Sequence, residues 1–187
     1  MVDGIILSTV GTGLVKLLNQ HGGFSEGDIV LKSPVDTGSA KLSLFLYQVQ
    51  ANPYLKNREM EAIQETSLRR VPLMLDLYYL VTPLSPEPDT ALKYLESVML
   101  TFHDYAVLKG PDLSPTLVDA GNEVIRIVPH HLSLEEINQL WGVFPNKAYQ
   151  LSMAYLVTPI EIPSTRTLPV TRVVERVTKF SRLKGSP

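Results

Sequence analysis

Apolar residues recur at helical spacing near the start of the chain. Ile6, Val10, Leu14, Leu17 and Leu18 share one face of a 3.6-residue repeat, with Ser8, Thr12 and Lys16 between them. This predicts an amphipathic helix, closed by His21-Gly22-Gly23. The pattern then changes. Asp28 to Lys32 reads as a short strand ended by Ser33-Pro34. Ala40 to Gln50 reads as a longer strand whose near-continuous apolar content suits cover on both faces. Tyr54 to Arg70 is polar and mixed in charge, and predicts a loop or a loop with a short helix. Val71 to Thr82 is a strong strand stopped by Pro83. Asp89 reads as the N-cap of a second helix with the stripe Leu92, Leu95, Met99, Phe102 and Ala106, ended by Gly110-Pro111. Glu123 to Pro129 is a further strand. Ser133-Leu134-Glu135-Glu136 is a capping box that opens a helix through Trp141. Tyr149 to Thr158 reads as the last core strand, ended by Pro159. Together these elements predict an α/β fold of the α+β kind: a mixed or largely antiparallel central sheet flanked by two to three helices.

Two of these strands are related. Leu73 to Pro83 aligns with Tyr149 to Pro159 at an offset of 76, and six of eleven positions are identical, among them Tyr-Leu-Val-Thr-Pro at the end of each. The alternating large apolar positions (Leu73 to Val81, Tyr149 to Val157) give each copy one core face. The two are therefore expected to be equivalent, central and neighbouring, with Tyr79 and Tyr155 buried on the same side. The opposite face carries Met74, Asp76 and Tyr78 in one copy, and Gln150, Ser152 and Ala154 in the other. A mid-strand carboxylate is costly to bury unpaired, so that face is expected to be wet or an interface.

Composition narrows the class. The 187 residues are 44% hydrophobic and 19% charged, enough for a real core. The absence of cysteine excludes disulfides, thiolate metal sites and a cysteine nucleophile, and favours folding inside the cell. The start of the chain does not read as a secretory signal, and no run of 18 apolar residues predicts a membrane span. Charge is unevenly spread. Residues 160 to 187 hold six basic and two acidic side chains, +4, which leaves -6 of the net -2 for the rest. This divides the chain into an α/β domain, residues 1–163, and a basic amphipathic arm, residues 164–187. Val170, Val173, Val174, Val177 and Phe180 would supply apolar contact, and Arg172, Arg176 and Lys179 would steer it onto an acidic neighbour. Valine and threonine suit a strand as well as a helix there.

No catalytic constellation emerges. Gly11-Thr12-Gly13 lacks the lysine of a phosphate loop. His130-His131 lies near Glu135 and Glu136, but adjacent residues at a strand end point in opposite directions and chelate one ion poorly. His103, beside an apolar stripe, reads as a partly buried, satisfied histidine. No metal, cofactor or nucleotide is expected, and aromatics do not interleave with basic residues as nucleic-acid binding would require. Arg58, Glu59, Glu61, Glu65, Arg69 and Arg70, with Asp76, read either as a solvated charged segment and sheet face or as subunit-to-subunit contacts in a ring.

The segments Leu42 to Tyr47, Pro72 to Thr82 and Ala148 to Tyr155, together with the first helix and the Ser133 to Trp141 helix, resemble one family. It is the cap, or tail-terminator, family of contractile injection systems of the antifeeding-prophage and Photorhabdus virulence-cassette type. The resemblance covers roughly residues 1 to 160 and rests on the order of elements and the paired strands that end in Tyr-Leu-Val-Thr-Pro rather than on one motif. It implies a non-enzymatic structural protein, without cofactor, that forms a hexameric ring on the distal end of the particle. There it would contact the inner tube protein and the sheath protein, ending tube growth and tying down the last sheath layer. It also implies assembly in the bacterial cytoplasm, with the arm engaging the sheath or the adjacent copy. The competing readings are another non-catalytic tail component, such as a tube or sheath-completion protein, and a ligand-binding α/β domain.

Overall fold

The structure, a computed structural model, describes residues 5–35, 37–55, 61–64, 67–144 and 148–169, with the backbone alone described for 61–64, 67–69 and 167–169. The chain order is α1 (Ile6–His21), β1 (Ile29–Val30), β2 (Leu42–Ala51), β3 (Glu61–Gln64), β4 (Ser67–Arg69), β5 (Leu73–Pro83), α2 (Pro88–Asp104), β6 (Val107–Lys109), α3 (Pro115–Asp119), β7 (Val124–His130), α4 (Leu134–Gly142), β8 (Met153–Ile162) and β9 (Thr167–Pro169). Six strands form one sheet in the order β1-β2-β5-β8-β7-β6. β1 runs parallel to β2, and every other pair is antiparallel. The expected mixed, largely antiparallel sheet with flanking helices is what the chain forms.

The two repeat copies are the central strands, side by side as expected. Tyr79 pairs with Tyr155, Leu77 with Val157 and Val81 with Met153. Those side chains point into the main core with Ile6, Val10, Leu14 and Leu18 of α1, Leu95, Val98 and Phe102 of α2, and Leu117 of α3. The Phe102 ring meets Tyr155 edge-on at 4.9 Å. Gly11 lets α1 come close: a Cβ there would stand 3.2 Å from the Leu31 methyls and 3.5 Å from the Tyr79 hydroxyl.

Several expectations are corrected. The last strand is Met153–Ile162, not Tyr149 to Thr158, so Pro159 lies inside it and follows a cis peptide bond. A ladder bulge accommodates this residue, which has no N–H: Leu77 pairs with Val157 but Leu75 with Ile160. Consequently Tyr149 and Leu151 are half exposed rather than core. The Tyr149 ring packs 5.6 Å from Trp141 instead. The mixed-charge segment contains two strands: β3 and β4 pair antiparallel, with Glu61 opposite Arg69, and β9 completes a separate three-stranded sheet. Alternation was too short there to read as strand. α2 presents Leu95, Val98, Thr101 and Phe102 inward, while Leu92 and Met99 face solvent. Polar Thr101 is tolerated because its hydroxyl donates to the Ser97 carbonyl and the Ser97 hydroxyl to that of Gly22. The helix ends at Asp104, so Ala106 is not part of it, and His103 is exposed rather than partly buried.

Candidate functional site

The second face of the sheet is clad by one helix. The Ser133 hydroxyl accepts from the Glu136 N–H, and the Glu136 carboxylate accepts from the Ser133 N–H at 2.8 Å, so the predicted capping box is formed. The hydrogen bonds from the Ser133 backbone and hydroxyl hold the Glu136 carboxyl below its ordinary range. Trp141 and Phe144 then bury against Leu80 of β5, with Phe45, Tyr47, Ile137 and Leu140 around them. Trp141 and Phe144 meet edge-on at 5.5 Å, and Phe45 meets Phe144 at 5.8 Å.

Beside this small core lies a cleft of about 290 Å³ between α4 and the ends of β7 and β8, lined by residues that include Leu132, Ile137, Leu140, Trp141, Met153 and Ala154. His131, which also lines it, is exposed. Trp141 is 5% exposed, and its indole N–H has no acceptor. The Tyr47 hydroxyl, in the same small core, is likewise buried without a partner. Burial pushes the Tyr47 phenol up to about 12. A row of rings continues from Tyr47 to Tyr78 (6.1 Å) and from Tyr78 to His130 (4.9 Å).

The second face was expected to be wet or an interface, and Asp76 shows it to be neither throughout. Asp76 is 8% exposed. Its Oδ1 accepts from Asn52 Nδ2 at 2.9 Å and from the Thr158 hydroxyl. Hydrogen bonding within the sheet therefore accounts for this carboxylate. Farther along, Gln48, Gln50, Arg126 and Val128 are exposed. Arg70 is also exposed. Glu61 and Arg69 are placed by their backbone alone, and Arg58, Glu59 and Glu65 lie outside the described residues. The same holds for Val170, Arg172, Val173, Val174, Arg176, Val177, Lys179 and Phe180.

Among the described residues no three acidic or histidine side chains are grouped to hold a metal ion. His130 packs on Tyr78 while His131 faces solvent. Among the described residues no helix is long and apolar enough to cross a membrane. The cleft itself was not legible in the sequence; its only trace there was a capping box aimed at a lone tryptophan.

What decides the family is the match of residues 9–176 to the Pvc16 N-terminal domain. The chain belongs to the Pvc16 N-terminal domain family. The resemblance read from the paired strands is thereby borne out. Two solved structures share the family's fold with this chain. One is the sheath/tube terminator, in its extended state, of an extracellular contractile injection system named PVC: 19% identity, TM-score 0.66, covering 94% of this chain and 64% of that one. The other is the tube-terminating cap of the anti-feeding prophage: 20% identity, TM-score 0.64, covering 91% of this chain and 60% of that one. This Pvc16-type chain therefore spans less than two thirds of either, and at such identities the likeness establishes the fold. No curated protein matches the chain.

Proposed function

We propose that this protein is a structural terminator of a contractile tube-and-sheath particle, forming a hexameric ring that ends the inner tube and anchors the last sheath layer. The observation that carries this reading is the family match over residues 9–176, joined to a fold shared with a tube terminator and a tube-terminating cap. The architecture is consistent with it. A six-stranded sheet packed on α1, α2 and α3 presents a second face clad only by α4, together with a small second sheet, and a head-to-tail ring of such subunits can close on itself and stack on a filament of the same symmetry. Arg58, Glu59, Glu61, Glu65, Arg69 and Arg70 are the proposed inter-subunit contacts, and residues 164–187 the arm that engages a neighbouring subunit. Assembly would take place in the cytoplasm of the bacterium that builds the particle.

The test is a reconstruction of particles from cells that express a tagged chain, compared with cells that lack it. A sixfold density at the distal end, and tubes of irregular length without the protein, are expected. Density distributed along the shaft would assign the chain to the tube or sheath instead. A copy number at the end that is not a multiple of six would refute the hexamer.

A further inference from the structure

We propose that the free edge of β2 pairs with the same edge of a second copy of this chain, antiparallel and centred on Val49.

The edge is open. β1 meets β2 only at Leu42 and Ser43. Beyond the bulge between Leu46 and Gln48, β2 runs to Ala51 with β5 on one side and, among the described residues, no strand on the other. Gln48, Val49, Gln50 and Ala51 are all exposed. The ladder fixes which backbone groups face outward. The Asn52 N–H donates to the Met74 carbonyl at 2.8 Å, one step past the Ala51–Leu75 pair. Hydrogen-bonded positions alternate along an antiparallel strand, so Gln50 and Gln48 bond inward to β5, while Val49 and Ala51 turn their N–H and C=O outward.

Strands that end a sheet are ordinarily guarded by charge, proline or shortness. The opposite edge is guarded. β6 has three residues, carries Lys109 and runs into Gly110-Pro111, and the end of β7 that it leaves uncovered contains Pro129. β2 has no such guard: no charged residue occurs from Leu42 to Leu55, and the first proline is Pro53, past the strand. An unguarded edge accepts an extended strand through main-chain hydrogen bonds.

The side chains favour an identical strand. Self-pairing brings like residues together, and like charges directly opposite are destabilising, so an uncharged edge suits it. With Val49 on the two-fold axis, Gln48 stands opposite Gln50 of the second copy, twice by symmetry. Both glutamines lie on the Tyr78 face of the sheet, since Gln48 pairs with Tyr78 and Gln50 with Asp76. The Tyr78 hydroxyl donates to Gln50 Oε1 at 3.3 Å. That bond leaves the Gln50 amide N–H groups to donate to the side-chain carbonyl of Gln48 in the second copy. On the other face Val49, 45% exposed, meets its mate, and their outward N–H and C=O groups exchange. Such a contact belongs with small, transient interfaces, below about 1,200 Å², and a Kd on the order of 100 μM is expected. A two-fold pair has no place in a head-to-tail ring, so the pairing is a state of the free chain and does not rest on the terminator reading.

The absence of native cysteine makes the register testable. Sedimentation of the full chain up to about 1 mM, roughly tenfold above that constant, should show a reversible monomer–dimer equilibrium. Val49→Lys sets two ammonium groups face to face and should weaken it by on the order of tenfold or more. Single cysteines, read on chains that melt like the parent, then fix the alignment. The Val49→Cys chain should oxidise to a disulfide-linked dimer, because opposed hydrogen-bonded residues have Cα atoms about 5.5 Å apart, within disulfide reach. The Gln48→Cys chain should link to the Gln50→Cys chain and not to itself, since its own mate lies beyond the limit of about 7 Å. A chain that stays monomeric overturns the proposal. So does a dimer indifferent to Val49→Lys or cross-links without this register, which would place the contact elsewhere. None of these solution outcomes bears on where the protein sits in a particle, so the terminator reading stands or falls separately.

Discussion

Tyr79 stands directly opposite Tyr155 in the ladder between β5 and β8, and both are 2% exposed. These are also equivalent positions of the internal repeat, so a local two-fold axis passes between them: the pair Leu77–Val157 maps onto Val81–Met153. The symmetry fails at the next step. Leu75 is buried, but its repeat mate Leu151 precedes β8 and is 50% exposed. Truncating Leu77 to alanine should therefore cost about 2–5 kcal/mol, whereas Leu151→Ala should stay within about 0.5 kcal/mol. Urea unfolding followed by Trp141 emission checks both. Equal losses would mean that Leu151 is covered after all.

The buried phenols predict an alkaline limit to stability. Burial disfavours the phenolate, raising Tyr155 to about 12 and Tyr79 further. Against an unfolded value of about 10, the folded state holds these protons more tightly. Their contribution is complete below about pH 10 and is lost as pH rises through the folded values. Ultraviolet titration should show a late-ionising fraction of tyrosines that titrates together with loss of structure. Ionisation of every tyrosine near pH 10 in a still-folded chain would contradict the buried pair.

Asp76 predicts a graded response. Asp76→Ala removes the acceptor of both Asn52 and Thr158 and should destabilise by about 1–3 kcal/mol. Asp76→Asn keeps one acceptor oxygen and should lose less. Thermal melts of the two variants rank them, and the reverse order would refute the assignment.

Gly22 closes α1 where no side chain fits. A Cβ would stand 2.8 Å from the Leu18 carbonyl oxygen and 3.1 Å from Thr101 Oγ1. Gly22→Ala should cost about 1–3 kcal/mol, the range for forced overpacking, although alanine is ordinarily the better helix residue. A melting temperature equal to the parent's would show that the α1–α2 contact gives way.

The α4 cap predicts an acid response of stated sign. Glu136 is held below its ordinary range by Ser133, so the stabilisation is present above the unfolded value and fades as pH falls through the folded one. Ser133→Ala should cost about 1 kcal/mol and flatten the pH dependence of Trp141 emission in the acid range. An unchanged acid profile in the variant would place that dependence elsewhere.

What could be read from residues alone followed the strength of local pattern. α1 carries five apolar residues in strict phase, and the Ser133–Glu136 box is a local device, so both formed as expected. The equivalence of Leu73–Pro83 and Tyr149–Pro159 revealed the two central strands, but not where the second begins. That boundary depends on Tyr149 leaving the ladder for Trp141, a contact set by the tertiary fold. β3 and β4 are too short for alternation to register, and their partner β9 is distant in sequence. Asp76 looked like a surface charge because its partners, Asn52 and Thr158, are 24 and 82 residues away. The cleft is likewise a product of topology, assembled from β5, β7, β8 and α4.

The bulge at Thr158-Pro159 has a further bearing on how such a chain drifts among its relatives. On one side of it the tyrosine pair sets the register; on the other, Leu75, Met74 and Leu73 are matched to Ile160, Glu161 and Ile162 on a separate count. A lineage that lost one residue between Val157 and Ile160 would regain a regular ladder without disturbing Tyr79 and Tyr155. The central strands thus carry their own slack, which lets the end near β9 be remodelled for a new neighbour while the core keeps its alignment.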